Sequence, residues 1–261
     1  LGLTPYLPQQ INFLIIISKR GCDPLSADND KIRVLCLITS LPIGGAEKSL
    51  LRLVRNSPSE IEYLVISLDS RRDLEDDFED LNIKIINLNI KSVLAGLRGL
   101  LTLRKSIRSW RPDIIYCWMY HAMFLGVTLK LLKPKIPLIW GIRHNNLDIN
   151  LNKSSTIFIA KFLAYCSRLP NKIVYCSQES LDFHSKIGYK AQRSILIENG
   201  FDPTEFSNKD SFSLSELESL KQKYFPLVNS NAILVGCCGR YDPLKRFENF
   251  IATAKLIMDK G

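Results

Sequence analysis

The sequence lacks several signatures that would point directly to a class of protein. Its seven cysteines show no C-x-x-C spacing, so a reducing compartment fits best and neither a zinc site nor a disulfide framework is indicated. The longest near-continuous apolar run covers 11–17, far short of the roughly 20 residues that a membrane-spanning helix needs. The dinucleotide-binding pattern G-x-G-x-x-G is missing as well, which disfavours a dehydrogenase.

Acidic residues are almost absent from 91–143. This stretch carries ten Lys and Arg against the single acid Asp113, whereas positive and negative charges balance over the rest of the chain. A helical pattern at 93–110 alternates apolar residues with cations, which predicts an apolar side and a cationic side. The cationic side can contact an anionic membrane surface, or it can be an ordinary solvated face. Nucleic acid is disfavoured as a partner because no aromatic residues are interleaved with the cations and no nucleic-acid motif occurs.

Short β-branched runs alternate with helical patterns from residue 31 onward. The predicted strands are apolar on both faces, as buried parallel strands are, and lie at 32–39, 61–68, 83–88, 113–118, 137–142, 172–176 and 193–198. Helical patterns lie between them, for example at 46–55 and 93–110. The alternation predicts an α/β fold with a doubly wound parallel sheet of seven strands, Rossmann-like in type.

The chain divides into three predicted parts. Residues 1–30 read as an unstructured leader or the remnant of an anchor. Residues 31–228 form the first Rossmann-like domain, and 229–261 begin a second one with a strand at 232–238, a Gly-Arg loop and an amphipathic helix. Because one such unit cannot cover its own apolar surfaces, we expect the rest of the second domain to lie beyond residue 261.

Two loops carry residues suited to an anionic ligand. Gly44 and Gly45 follow the first strand and precede a helix, where free amides and the helix dipole favour a phosphate; a plain tight turn is the alternative. Arg240 and Lys245 follow the strand at 232–238, at the end of a strand where open α/β sheets bind ligands. Two fixed cations there can neutralise a leaving diphosphate, or they can simply be solvated.

Four segments, taken in order, resemble the family-four retaining glycosyltransferases. They are the first strand with its Gly-Gly-Ala-Glu-Lys turn (31–53), the strand end at 174–177, the Glu-Asn-Gly-Phe-Asp turn (198–202) followed by Phe206, and the loop at 239–245. Members of this family have the GT-B fold, in which two Rossmann-like domains face each other across a cleft. The likeness covers about 31–261.

The resemblance implies transfer of a sugar from a nucleotide-diphospho-sugar to an acceptor, with retention and without a required metal or other cofactor. It assigns Gly44 and Gly45 to the donor phosphates, and Arg240 and Lys245 to the stabilisation of the diphosphate. The E-x7-E element that grips the donor sugar in this family would lie beyond residue 261. We therefore expect the chain as given to bind nucleotide poorly and to be inactive.

Histidines follow two of the predicted strands. His121 comes after the fourth strand, where similar enzymes often place a histidine near the reacting sugar; a helix cap or a packing role is the alternative. Arg143, His144 and Asn145 follow the fifth strand and would line the cleft on the acceptor or donor side, or make loop hydrogen bonds. A neutral imidazole there can bind a hydroxyl or pass a proton. His184, within a helical pattern, is predicted to lie on the surface.

The resulting hypothesis is a cytoplasmic glycosyltransferase that acts on a glycan, a lipid-linked acceptor or an envelope polysaccharide precursor, with possible peripheral contact with an anionic membrane through 91–143. One alternative within the same fold is a nucleotide-sugar epimerase, which would convert the donor without any acceptor. Another is a binding module for sugar nucleotides without catalysis.

Overall fold

Seven parallel strands form the sheet of the N-terminal part of the chain. The computed structural model describes residues 6–21, 31–90, 92–145, 147–200, 213–229, 232–239, 241 and 243–259. The sheet order is β3-β2-β1-β4-β5-β6-β7. The strands are β1 (Ile32–Ile38), β2 (Ile61–Ser67), β3 (Lys84–Asn87), β4 (Ile114–Trp118), β5 (Leu138–Ile142), β6 (Lys172–Tyr175) and β7 (Ser194–Leu196). All seven predicted strands are confirmed, with ends that agree to within two residues.

Helices cover both faces of this sheet, as the two-sided apolar strands require. Within β1, Leu35 and Leu37 pack into one hydrophobic cluster while Val34, Cys36 and Ile38 pack into the other, because successive side chains point to opposite faces. The helices are α1 (Tyr6–Gly21), α2 (Gly45–Arg55), α3 (Glu75–Glu79), α4 (Val93–Trp110), α5 (Tyr120–Leu132), α6 (Ser154–Cys166), α7 (Gln178–Lys186), α8 (Leu214–Tyr224) and α9 (Phe247–Met258).

Helix α1 corrects the expectation of an unstructured leader for residues 6–21. Leu14 and Ile17 are buried in the same cluster as Leu50 of α2 and Ile139 of β5, and α1 contacts α2 and β4. The short apolar run at 11–17 therefore serves to cover part of one face of the sheet. Among the described residues, no helix combines the length and the hydropathy that a membrane span requires.

Helix α4 has the predicted bounds but not the predicted division of its surface. Leu103 and Ile107 pack into the core, whereas Leu97 and Leu101 are 56% and 67% exposed. The exposed part of the helix carries Arg98, Arg104, Lys105 and Arg108 as well. Apolar and cationic side chains thus share the outer face of α4, because only a narrow stripe of the helix, which contains Leu103 and Ile107, packs against the sheet.

Contacts divide the chain into two compact units, residues 1–201 and residues 202–261. In the second unit, helix α8 begins with a capping box between Ser213 and Glu216, and α9 follows a 3₁₀ turn at Pro243–Lys245. The amphipathic helix predicted after the Gly-Arg loop is confirmed as α9. Residues 232–238 form no strand in the part of this unit that the structure describes, because they pair with no neighbouring strand there.

Gly126 permits close contact between helix α5 and the sheet. A Cβ added at this position would collide with Cys117 Sγ of β4 and lie 3.2 Å from Leu138 Cδ1 of β5. Both neighbours are fully buried core side chains, so neither can move without disturbing the packing.

We predict that Gly126→Ala lowers the free energy of unfolding by about 1 to 2 kcal/mol, since the overpacking outweighs the gain in helix propensity. Urea unfolding measures the change. The matched control is Gly96→Ala in α4, where the nearest atom is 3.8 Å from the added Cβ; we expect this variant to gain about 0.5 to 1 kcal/mol. Equal behaviour of the two variants would contradict the close contact.

Candidate functional site

The carboxyl ends of β1, β4, β5 and β6 bring most of the predicted site residues of the first unit to one edge of the sheet. Parallel strands all end at the same edge, so the loops that follow them are neighbours. Trp118 of β4 is in register with Gly141 of β5, and the amide of Met119 donates to the carbonyl of Gly141. His121 and His144 follow directly from this pair.

The glycine turn joins β1 to α2. Gly44 is the N-cap residue of α2 in an extended conformation, and no side chain caps the helix. A Cβ on Gly44 would collide with the carboxylate of Glu47, whereas a Cβ on Gly45 would have no atom within 4 Å. A side chain at Gly44 would have to displace the carboxylate of the buried Glu47, whereas Gly45 faces open space at the positive end of the helix dipole. The predicted phosphate contact of Gly44 and Gly45 stays a prediction.

Asn199 connects the glycine-turn helix to the loop after β5. Its Oδ1 accepts a hydrogen bond from Ser49 Oγ of α2 at 2.9 Å and another from Nη1 of Arg143. The guanidinium of Arg143 lies 4.3 Å from the centroid of the Trp118 ring, a cation–π contact. Nε and Nη2 of Arg143 are buried and have no hydrogen-bond partner among the described residues. One amide oxygen therefore holds α2, β5 and the end of the sheet together.

Both predicted cleft histidines are held in the neutral form. Burial lowers the pKa of His121, with a smaller contribution from nearby Lys153, and burial lowers the pKa of His144 as well. The ring of His144 stacks on Tyr120, with centroids 5.5 Å apart and planes at 25°. His121 lies in the first turn of α5 and is partly exposed. A neutral imidazole can accept a hydrogen bond from a hydroxyl or donate one to it, and the predicted ligand contacts of His121 and His144 stay predictions.

Asn145 and the loop that contains it are tied to α7. The Oδ1 of Asn145 accepts from Ser177 Oγ at 3.3 Å, and the carbonyl of His144 accepts from Ser180 Oγ. Ser177 also caps α7, since its hydroxyl accepts from the amide of Ser180 at 3.2 Å. These bonds fix the backbone of 144–145, and the side chain of Asn145 is exposed, so its predicted contact with a ligand stays a prediction.

His184 is fully buried, which corrects the prediction that it lies on the surface. Its Nδ1 is 2.6 Å from the carbonyl oxygen of Ser180, and that oxygen can only accept, so Nδ1 carries the proton. Nε2 must then accept from the hydroxyl of Tyr120 at 2.7 Å. The helical pattern contained the signal: His184 lies four residues after buried Ser180 and three after Leu181, on the face that packs against the sheet.

Asn199 and Tyr120 are the site residues that the sequence analysis did not single out. Asn199 lies within the Glu-Asn-Gly-Phe-Asp segment, so the sequence indicates its place in the chain but not its contacts. The remaining predicted cations lie in the second unit: Lys245 ends the 3₁₀ turn Pro243–Lys245, and Arg240 lies outside the described residues. The assignments of Arg240 and Lys245 therefore stay predictions.

Comparison with known proteins agrees with this architecture. The model for Glycosyltransferase Family 4 matches residues 43–205, more than half of the sequence, and the chain belongs to that family. No curated protein matches the chain significantly by sequence. The first unit has the Rossmann-like fold found in GT-B glycosyltransferases.

Several solved structures share the fold. Anabaena Alr3699/HepE in complex with UDP has a TM-score of 0.59 at 21% identity, over 74% of this chain and 50% of that one. A glycosyltransferase from Rickettsia africae has a TM-score of 0.51 at 14% identity, over 76% and 51% of the two chains. The apo form of the lipopolysaccharide outer core galactosyltransferase WaaB has a TM-score of 0.50 at 14% identity, over 66% and 46%. The chain thus spans about half the length of these proteins.

The buried His184 makes stability depend on pH. Burial lowers its pKa to about 4, with the Ser180 carbonyl acting in the opposite direction and His144 adding a small further decrease. The unfolded chain binds this proton near pH 6.5 and the folded chain only near pH 4. Stability from this group is therefore complete above about pH 6.5 and is lost as the pH falls towards 4.

We predict that His184→Phe removes about 3 kcal/mol of the stability loss that the parent shows between pH 7 and pH 4. Urea unfolding at a series of pH values measures it. The comparison variant Tyr120→Phe keeps the buried imidazole but removes the hydroxyl that hydrogen-bonds its neutral form, so its pH dependence should be reduced but not abolished. Parallel pH curves for the parent and His184→Phe would show that His184 is not held neutral by burial.

Proposed function

We propose that this chain is the acceptor-side unit, with the beginning of the donor-side unit, of a glycosyltransferase. The enzyme moves a sugar from a nucleotide-diphospho-sugar to an acceptor hydroxyl with retention and needs no metal. The observation that carries the proposal is the double hydrogen bond of Asn199, which places the glycine turn of α2 and the Arg143–His144 loop at one sheet edge. HepE, which has the same fold, was crystallised with UDP and with UDP-glucose, and this supports a nucleotide-sugar donor.

The chemistry requires that the bond between the anomeric carbon and the diphosphate breaks while the acceptor oxygen attacks from the same face. The electron pair leaves with the diphosphate, whose growing negative charge must be neutralised. In the proposal, Arg240 and Lys245 supply the positive charge, and Gly45 lets the backbone of α2 approach the phosphates. His121, as a neutral imidazole, binds a hydroxyl of the sugar or acceptor and can pass the proton that the acceptor loses to the departing diphosphate.

The acceptor side of the proposal rests on the neutral, partly buried surface around His144. Arg143 is already engaged by Asn199 and Trp118, so it shapes the floor of the site, while Asn145 is exposed at its rim. We propose a glycan, a lipid-linked acceptor or an envelope polysaccharide precursor as the acceptor class and a cytoplasmic location.

We predict that Arg240→Ala and Lys245→Ala in the full-length protein each raise the barrier by about 2 to 4 kcal/mol, roughly 30- to 1,000-fold in kcat. Transfer from a panel of UDP-sugars and other nucleotide-sugars measures the effect. The matched control is Lys255→Ala, which removes an exposed cation of the same unit from α9 and should leave kcat unchanged. Parental turnover of both site variants would reject the assigned roles.

The same assay without acceptor separates the alternatives. A nucleotide-sugar epimerase would convert the donor to its epimer with no acceptor present, and that result would reject the transferase. Saturable donor binding with neither transfer nor hydrolysis across the acceptor panel would instead support a binding module.

Peripheral membrane contact would suit a lipid-linked acceptor, and α4 supplies the surface for it within 91–143. Its outer face presents Leu97 and Leu101 beside Arg98, Arg104, Lys105 and Arg108. Exposed leucines among cations are the pattern of helices that lie in the interface of an anionic bilayer.

We predict that Arg104→Gln/Arg108→Gln lowers the partition coefficient onto vesicles containing phosphatidylglycerol about tenfold or more, since each cation near such a surface contributes about 1 kcal/mol. Co-sedimentation at low salt measures this. Lys223→Gln/Lys255→Gln, which removes two exposed cations of the second unit, is the control. Equal partitioning of all three proteins would show that α4 is only a solvated face.

A further inference from the structure

We infer that the first unit has a second ligand site, for a small anion carrying two or more phosphates, at the sheet edge opposite the candidate active site. A cavity of about 570 Å³ opens there, within the size range of small-molecule pockets. Its wall is built from the segments that lead into three strands, at Pro137 before β5, Lys172 at the start of β6 and Arg193 before β7, with Ile17 of α1 alongside.

The described lining of the cavity is positively charged. Lys130, Lys135, Lys172 and Arg193 line it, and no acidic residue is among its described lining residues. None of the four forms an ion pair with a described residue. Lys130 and Arg193 line the same cavity, and burial together with the charge of Arg193 lowers the pKa of Lys130. An anion in the cavity would reduce the repulsion between such like charges.

Lys130 holds two walls of the cavity together through hydrogen bonds. Its ammonium group donates to the carbonyls of Pro134 at 2.7 Å and Ile136 at 2.9 Å, and to Asn171 Oδ1 at 3.4 Å, so all three of its protons are used. The same Asn171 oxygen accepts from the amide of Leu138 at 3.0 Å. These bonds tie the loop before β5 to the turn before β6, so the wall is formed before any ligand arrives.

The other three cations remain available to a ligand. Lys135, Lys172 and Arg193 make no side-chain hydrogen bond to a described residue, and their donors are the ones that bind phosphate oxygens. A single carboxylate would balance only one of three charges, whereas a diphosphate or triphosphate would balance most of them. The three available charges therefore favour a phosphate-rich anion, whatever the function of the opposite edge.

The probe that tests the site is inorganic pyrophosphate, titrated calorimetrically into the full-length protein at low salt. We expect saturable binding with one site in the first unit, weakening as KCl is raised. Lys135→Gln/Lys172→Gln/Arg193→Gln should weaken binding about tenfold or more. The matched control is Lys161→Gln/Arg168→Gln/Lys190→Gln, which neutralises three cations around a separate cavity beside α6 and should bind about as tightly as the parent.

Several outcomes would overturn the inference. The first is that the parent shows no saturable binding of pyrophosphate. The second is an equal loss of affinity in both triple variants, which would indicate general electrostatic attraction. The third is binding that survives the first triple variant, which would place pyrophosphate at the candidate active site. If the first triple variant does not fold, Lys135→Gln alone, in an exposed loop, should still weaken binding about threefold.

A second experiment distinguishes lipid headgroups from a soluble phosphate as the ligand of the cavity. Vesicles containing phosphatidylglycerol should bind the parent and the first triple variant equally, and pyrophosphate should not displace them. If vesicle binding is lost in that variant while pyrophosphate fails to bind the parent, the cavity recognises lipid headgroups and the small soluble anion is rejected.

Discussion

The parallel arrangement of seven strands is the constraint on which the rest of this structure depends. Parallel strands are covered on both faces, so every strand must be apolar on both sides and every connection must return over a helix. The same arrangement sends all carboxyl ends to one edge, where the polar loop residues of β1, β4 and β5 meet. Packing and the location of the site therefore follow from one cause.

At that edge, the side-chain oxygen of one amide links α2 to the loop that follows β5. Asn199 accepts from Ser49 and from Arg143, and Arg143 in turn lies over Trp118. The helix that follows the glycine turn, the loop that carries His144 and the end of β4 are thereby joined by two hydrogen bonds and a cation–π contact. A second layer beneath it, Tyr120 with His144 and His184, is aromatic and neutral. Tyr120 and His184 are buried, so these two rings support the partly exposed ring of His144 from within the core.

Which basic residues become neighbours depends on the sheet topology, not on the apolar pattern of each strand. The basic block at 91–143 was visible in the sequence, but folding divides it between the outer face of α4 and the far edge of the sheet. There Lys130 and Lys135 meet Lys172 and Arg193, which come from the charge-balanced remainder of the chain. Counting charges along the sequence does not predict this cluster of four cations, because the cluster forms only when β5, β6 and β7 lie side by side.

The sequence by itself determined the seven strands, the helices between them, the parallel sheet and the order of the loops, because these follow from local apolar periodicity. It also determined the family through four ordered motifs. Tertiary structure alone decided that residues 6–21 cover the sheet, that Leu97 and Leu101 of α4 stay outside, that His184 is buried and neutral, and that Asn199 joins distant loops. Each of these depends on which surfaces meet after folding, and that is set by contacts between residues far apart in the chain rather than by the pattern of their neighbours.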